Sequence, residues 1–302
     1  MRQTFETLTP QWAEYELVDS GRGRKLERFG EYTLIRPEPQ AKWKAKLAAA
    51  RWDAADAEFV KDRAERTGEW KIRRAIPARW ELQRKALRFW VQPAPSGHVG
   101  VFPDEACHWD WIAELTNRAG GRVTALCLFG HTGLATLAAA AAGAEVTHID
   151  ASRHAVEWAR ENQNLSGLKE RPIRWIVEDA VTFVRREARR GSKYNAMILD
   201  PPRFGRGPSG ELWKLEESLP ELLGACGKLL NESPMFVLLN VYTTVVTQGR
   251  TEKEAHRLRA GLRKMLDRFR ATVSCGGLAL QDAAERRISA SVFARAEFGS
   301  LG

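Results

Sequence analysis

The chain has no Cys-x-x-Cys pair, and its four cysteines (Cys107, Cys127, Cys226 and Cys275) are scattered far apart. That spacing argues against both a structural zinc site and a disulfide framework. Histidine is sparse and isolated, at His98, His108, His131, His148, His154 and His256. Cys107 and His108 adjoin, but neighbours on a helix point in different directions, so no metal is expected. Long apolar runs are also missing. The longest candidate, residues 134–142, is alanine-rich and falls short of the ~18 residues a membrane span requires. The opening Met1-Arg2-Gln3-Thr4-Phe5-Glu6 lacks the apolar core of a signal peptide. The expectation is a cytoplasmic protein with no membrane association.

What is present is ordinary in amount and uneven in placement. At 302 residues, with 44% hydrophobic and 28% charged residues, the chain can build one large core and a smaller one. Net charge is +9. Residues 1–92 carry 20 Lys and Arg against 14 Asp and Glu, which is +6 of that excess, and six of the eleven tryptophans. Basic side chains interleaved with aromatics suit a nucleic-acid surface, through phosphate contacts and base stacking. A solvated basic face with tryptophan in the core is the competing reading.

The first 92 residues read as a small α+β module. Residues 16–19 and 32–35 are strand-like and flank the basic turn Ser20-Gly21-Arg22-Gly23-Arg24. Residues 42–57 are helix-permissive, with Trp43, Leu47 and Ala50 at helical spacing, and 69–74 and 79–91 read as strands. Gln92-Pro93-Ala94-Pro95-Ser96-Gly97 reads as a linker, which divides the chain into 1–97 and 98–302. From residue 104 the pattern is regular. Helices at 104–119, 133–142, 151–165, 180–190 and 212–230 alternate with strands at 123–129, 145–150, 173–178, 195–200 and 235–242. That alternation implies a parallel sheet covered on both faces. A helix at 251–269 then precedes two strand-like runs, 272–280 and 288–298, whose short link forces antiparallel pairing. The expected fold is α/β: a seven-stranded, doubly wound sheet closed by an antiparallel C-terminal hairpin.

The chemistry gathers where strands end. The first strand of the regular region runs through Leu128-Phe129-Gly130-His131-Thr132-Gly133 into a helix, and its glycines permit close approach of a ligand to backbone. The next strand closes on Asp150, where an acid can accept from both hydroxyls of a ribose. The third ends in Glu178-Asp179-Ala180, suited to an adenine amino group. The fourth delivers Asp200-Pro201-Pro202-Arg203-Phe204, a shelf of acceptors in which proline donates no hydrogen bond. Each element has a plain alternative, a tight turn for the glycines and helix N-caps for Asp150 and Asp179. The loop lacks the Gly-x-Gly-x-x-Gly of a dinucleotide site, and no hydride-transfer residue stands out. A cofactor with ribose and adenine but no phosphates fits the set, which describes S-adenosylmethionine.

With those residues in order, the sequence resembles the class I S-adenosylmethionine-dependent methyltransferases, and more narrowly the bacterial large-subunit rRNA methyltransferases of the I and K types. The resemblance is carried by Gly100-Val101-Phe102-Pro103-Asp104, the 128–133 loop, Val146-Thr147-His148-Ile149-Asp150-Ala151-Ser152, Glu161-Asn162-Gln163-Asn164-Leu165-Ser166-Gly167-Leu168, and Leu199-Asp200-Pro201-Pro202-Arg203-Phe204. Asp19-Ser20-Gly21, continuing through Gly23-Arg24-Lys25-Leu26-Glu27-Arg28, looks like a subfamily signature. The resemblance implies that Phe129, Gly130, Thr132 and Gly133 line the methionine end of the cofactor. Asp150, with Ala151 and Ser152, would hold the ribose, and Asp179 with Ala180 the adenine. Phe102 and Asp104 would form an entry segment. Asp200, Pro201, Pro202 and Phe204 would face the substrate.

Carbon-5 methylation of cytosine needs a cysteine thiolate to add to the ring first. Neither the shelf nor Asn240-Val241-Tyr242-Thr243-Thr244 contains one. The expectation is therefore direct in-line transfer to a base nitrogen of RNA, with rRNA reached through the basic N-terminal module. A methyltransferase of small molecules or proteins, and a non-catalytic RNA-binding protein, are the alternatives. Arg203, where an aromatic would stack on the base, has no assigned role, and oligomeric state is not readable.

Overall fold

The computed structural model describes residues 5–61, 68–242 and 248–299. These form two compact units, and the chain crosses between them more than once. One unit comprises Met1–Leu8, Cys107–Leu278 and Ala290–Gly302, the other Thr9–Ala106 and Ala279–Ser289. The division expected after residue 97 thus precedes the crossing after Ala106. The tip of the C-terminal hairpin is counted with the N-terminal segment.

The larger unit is built on an eight-stranded sheet. Its order is Phe5–Leu8, Ala271–Gln281, Arg287–Phe298, Phe236–Tyr242, Ala196–Leu199, Thr124–Leu128, Glu145–Asp150 and Ile173–Val177. The seven expected strands are all present, within one or two residues of their expected bounds. Phe5–Leu8 adds an eighth, parallel to Ala271–Gln281. Arg287–Phe298 runs antiparallel to Phe236–Tyr242, and the five strands from there to Ile173–Val177 are parallel.

Alternation along these strands explains why their sequences are apolar throughout. Leu126, Leu128, Met197, Leu199, Val237 and Leu239 enter one core. Their neighbours Ala125, Cys127, Ala196, Ile198, Phe236 and Leu238 enter a second. A strand covered on both faces has no solvent side to make polar, and truncating a residue such as Leu199 to alanine would cost about 2–5 kcal/mol. The covering helices include Leu134–Ala141, Arg153–Leu165, Ala180–Arg190 and Leu215–Leu229. Ala180–Arg190 is delimited by its own sequence: Asp179 caps the start, accepting from the Thr182 N–H at 2.8 Å, and Gly191 ends it in a left-handed conformation. The helix expected from residue 212 begins at Leu215. Leu212–Lys214 instead pairs with Phe204–Arg206 as a short hairpin, because Trp213 turns inward and its indole donates to the Pro202 carbonyl.

The smaller unit holds a five-stranded sheet, in order Tyr15–Gly21, Arg24–Phe29, Tyr32–Pro37, Ala57–Lys61 and Gly68–Ile72. A separate hairpin pairs Trp80–Arg84 with Leu87–Val91. The helix expected over 42–57 is confined to Ala49–Asp53. The buried Asp19 carboxylate accepts from the backbone N–H groups of Lys46 and Leu47, and Arg22 and Gly23 donate to the carbonyls of Trp43 and Ala41. These bonds hold the segment extended where local propensity favoured helix. The basic turn at 20–24 is tight: Gly21 pairs with Arg24, and Ser20 is fully buried.

Candidate functional site

Register brings the acids together. Leu199 pairs with Leu128, and Leu128 with Ile149, so Phe129, Asp150 and Asp200 leave their strands at one edge of the sheet. Successive connections leave to opposite sides between Thr124–Leu128 and Ala196–Leu199, and ligands bind at such a switch point.

The loop after Leu128 is strained and firmly held. Phe129 and His131 have φ of 59° and 48°, uncommon for residues with a Cβ. Gly130 donates to the Ile149 carbonyl at 3.1 Å, and a Cβ there would run into the His148 ring. Gly133, at φ 86°, begins the next helix, and a Cβ on it would lie 2.8 Å from the Ala159 Cβ. Asn162, fully buried, donates to the Thr132 carbonyl at 2.9 Å and ties the loop to the helix Arg153–Leu165. Burial pushes His148, beneath the loop, down to about 3 and His131, within it, to about 4, with neighbouring histidines adding to both shifts. Both rings are neutral at physiological pH.

Asp150 is not a helix cap. One of its oxygens accepts the His131 N–H at 2.9 Å and the other the Ser152 N–H at 2.8 Å. Ser152 is the cap, its hydroxyl accepting from the Ala155 N–H. Burial raises the Asp150 carboxyl above its ordinary value, and the two N–H bonds only partly offset this. Asp179 does cap, with one oxygen. The hairpin 204–214 reaches this acid, since a Cβ on Gly207 would lie 3.1 Å from the Asp179 Cβ. Glu178 pairs with Arg186.

The shelf is anchored on three sides. Asn240 donates to Asp200 Oδ1 at 2.9 Å. Trp213 donates to the Pro202 carbonyl and packs on Phe129 with ring centroids 5.0 Å apart. Arg203 turns away from the shelf: it donates to the Tyr242 carbonyl at 3.2 Å and pairs with Glu254, with Glu216 at 3.9 Å. The residue without an assigned role is thus a tie between elements. Phe204 points outward, 74% exposed. Thr243 and Thr244 lie outside the described residues.

This arrangement suits a nucleoside without a diphosphate. A diphosphate would need the loop amides, but the N–H groups of Gly130, His131 and Gly133 already donate to Ile149, Asp150 and Gly130. Three carboxylates, those of Asp150, Asp179 and Asp200, instead line the edge and complement a ligand carrying positive charge. Cys226 and Cys275 are buried, and burial holds both thiols above their ordinary value, Cys226 at about 12. Phe102 and Asp104 belong to the smaller unit, where the Phe102 ring packs on His98 at 5.3 Å.

Sequence reasoning missed Asn162, which it quoted without a role, and Asn240, considered only as part of a run without cysteine. The signal for Asn240 was an amide in the otherwise apolar stretch 236–241, whereas Asn162 sits in the polar run Arg160-Glu161-Asn162-Gln163-Asn164 and carried no such signal.

Residues 24–237 match the family model described as S-adenosylmethionine-dependent methyltransferase. The crystal structure of an S-adenosylmethionine-dependent methyltransferase from Agrobacterium tumefaciens is similar over 98% of this chain and 94% of its own, at 37% identity and a TM-score of 0.90. The ribosomal RNA large subunit methyltransferase K/L of Aeromonas hydrophila is 27% identical over 229 residues, 68% of this chain and 31% of that protein. The methyltransferase I of the same organism is 31% identical over 133 residues, 43% of this chain and 30% of its own. The chain spans about a third of the length of these two relatives.

Proposed function

The chain belongs to the family of S-adenosylmethionine-dependent methyltransferases, and from that premise we propose that it methylates a base nitrogen of ribosomal RNA by direct in-line transfer. The observation that carries the chemistry is the Asp200 carboxylate, held by Asn240 at the sheet edge that also bears Phe129 and Asp150. The rRNA substrate is supported by the relatives of the I and K/L types.

The cofactor, when bound, supplies a methyl group on a sulfonium that leaves as a neutral thioether. The residues of the chain do the rest. Asp150 accepts from the ribose and Asp179 from the adenine, with Ala151, Ser152 and Ala180 beside them. Phe129, Gly130, Thr132 and Gly133 hold the methionine end. Asp200 and the Pro201 carbonyl accept N–H from the target amine, which aims its lone pair at the methyl carbon from ~3–3.5 Å. The nitrogen would gain the methyl group as the sulfonium gives it up, with Asp200 placed to take the surplus proton. No thiol nucleophile is required.

Substrate contact is supported by the hairpin after the shelf. Phe204 faces outward opposite Lys214, and Arg206 opposite Leu212, so two cations and two apolar side chains share one face. An exposed aromatic among cations can stack on an unpaired base while the cations meet phosphate. The smaller unit contributes basic charge for phosphate, and the protein works in the cytoplasm. Among the described residues no helix is long and apolar enough to cross a membrane.

The test is tritium transfer from labelled S-adenosylmethionine onto rRNA from a strain lacking this gene, followed by digestion to nucleosides. Label in an N-methylated base is expected. Label in 5-methylcytosine, or none on rRNA, would overturn the assignment.

A further inference from the structure

Behind the shelf, beyond Asn240, lies a chain of buried polar groups whose far members the transfer chemistry above does not use. The Arg295 guanidinium donates from Nη2 to His108 Nδ1 at 2.6 Å. His108 Nε2 lies 3.2 Å from Asn240 Oδ1, and Asn240 Nδ2 donates to Asp200 Oδ1 at 2.9 Å. His108 and Asn240 are each 2% exposed and Arg295 8%. These residues come from three separate elements: the helix Ala106–Asn117 and the strands Phe236–Tyr242 and Arg287–Phe298.

The direction of the chain follows from the chemistry of its far end. A guanidinium has donors only, so His108 Nδ1 must accept. The ring proton then sits on Nε2 and is donated to Asn240 Oδ1. The Asn240 amide is thereby fixed with its NH2 group towards Asp200. In the opposite orientation it would present a carbonyl oxygen to a carboxylate. Arg295 is itself held between two rings, 4.7 Å from Trp111 and 4.8 Å from Phe293, and it also donates to the Cys107 carbonyl at 3.1 Å. Burial drives His108 well below its ordinary value, and Arg295 adds to this, so the ring is neutral. Burial lowers Arg295 only to about 10, with Glu6, Cys107 and Glu297 opposing the shift, so it stays charged near neutrality. A one-way row of donors from a fixed cation keeps its terminal acceptor anionic and fixed in orientation.

We propose that Arg295 and His108 are positioning residues for methyl transfer: acting through Asn240, they hold the Asp200 carboxylate as an oriented acceptor for the substrate N–H. This rests on Asp200 being the acceptor of the target amine. The assignment separates the two ends of the site, because the relay serves the shelf and not Asp150. Disrupting it should therefore impair transfer without weakening the cofactor.

Two measurements test it. The first needs no substrate: 15N NMR of the full chain labelled at histidine, with the His108 signal identified by its loss in His108→Gln. The wild type should show His108 protonated on Nε2 alone and not titrating between about pH 5 and 8, since its ordinary pKa of about 6.5 is suppressed. Arg295→Met should move the proton to Nδ1 or restore titration. A wild-type ring protonated on Nδ1, or unchanged in Arg295→Met, would overturn the relay whatever the enzyme's substrate is.

The second is the rRNA transfer assay. Arg295→Met and His108→Leu should lower kcat on the order of a hundredfold, the scale of a misplaced catalytic group. The affinity for S-adenosylhomocysteine by titration should stay within about twofold of wild type, because no cofactor contact is removed. His108→Gln, which keeps an N–H donor where Nε2 lies, should recover activity to within about tenfold of wild type. Equal loss in His108→Gln and His108→Leu at unchanged cofactor affinity would reduce the residues to packing and contradict the proposal. Absence of any transfer by the wild type would count against the RNA reading, while the NMR result would still decide the relay.

Discussion

Carboxylates wholly or half withdrawn from water occur in both units of this protein, and their surroundings divide them into two kinds. In the smaller unit Glu27 is fully buried against Arg36, which reaches both its oxygens at 2.7 and 2.9 Å, with Tyr15 donating and Lys25 3.5 Å away. Burial pushes Glu27 up, but Arg36 and Lys25 outweigh it and bring the carboxyl to about 2. Asp19 is similarly saturated. Burial again pushes upward, but the N–H groups of Leu47, Trp52, Lys46 and Ser20 prevail, and Arg286 pairs with it. In the larger unit Asp150 is held by two backbone N–H groups and remains raised. The comparison teaches that a buried acid surrounded by cations and donors is a structural tie. A half-buried acid held in place by a few neutral donors keeps lone pairs that a ligand could use. The apparent signature Asp19 to Arg28 belongs to the first kind.

The largest effect expected from breaking this contrast is at Glu27. Glu27→Gln leaves Arg36 buried without its counter-charge and should destabilise the protein by about 3–5 kcal/mol, read from urea unfolding. Asp150→Asn keeps one of the two loop bonds, because its amide nitrogen cannot accept the second N–H, and should cost less, about 1–3 kcal/mol, so equal losses would erase the distinction.

Acid sharpens it next. His131 and His148 stay neutral in the fold down to about 4 and 3, whereas in the unfolded chain they take up protons below about 6.5. The unfolded state then binds more protons, so stability should fall as pH drops from 6.5 towards 4. Glu27, depressed to about 2, remains paired through that window. Thermal unfolding followed over this range, with His148→Gln flattening the slope, checks the assignment; a flat wild-type profile would contradict it.

Phe204→Ala should leave stability within about 0.5 kcal/mol and weaken RNA by about 1–3 kcal/mol through lost stacking, seen as a raised KM for rRNA. The smallest effect is at Arg203. Its partly exposed pairs with Glu254 and Glu216 should make Arg203→Met cost about 1 kcal/mol or less, with transfer retained. A large loss of transfer there would return Arg203 to the substrate side.

The sequence was most legible where one physical signal dominated. Thr124–Leu128, Ala196–Leu199 and Phe236–Tyr242 are almost wholly apolar, and Thr124–Leu128, Glu145–Asp150, Ile173–Val177 and Ala196–Leu199 run into a glycine loop or an acid, so these strands could be read directly, as could the acids at their ends. Local propensity misled where a distant group intervened. Asp19 captures the N–H groups of Lys46 and Leu47 and stretches a helix-permissive segment. Trp213 reaches the Pro202 carbonyl and replaces the first turn of a helix with a hairpin. The N-terminal tryptophans, read as candidate stacking surface, are at least partly buried, and the indoles of Trp12, Trp43, Trp52, Trp70 and Trp80 donate hydrogen bonds within their own unit. Among the described residues, three of the four exposed large hydrophobic side chains, Phe204, Leu212 and Tyr242, lie in the larger unit. His108, Asn240 and Arg295 share no spacing or periodicity, and only the folded sheet brings them into line.

The central claim is that Asp150 and the 128–133 loop form a nucleoside site for the methyl donor. Isothermal titration of S-adenosylhomocysteine into the full chain tests it most directly. The account predicts saturable one-site binding by the wild type and a loss of about a hundredfold in Asp150→Ala, the worth of two charge-assisted hydrogen bonds. No binding by the wild type, or equal binding by the variant, would contradict it.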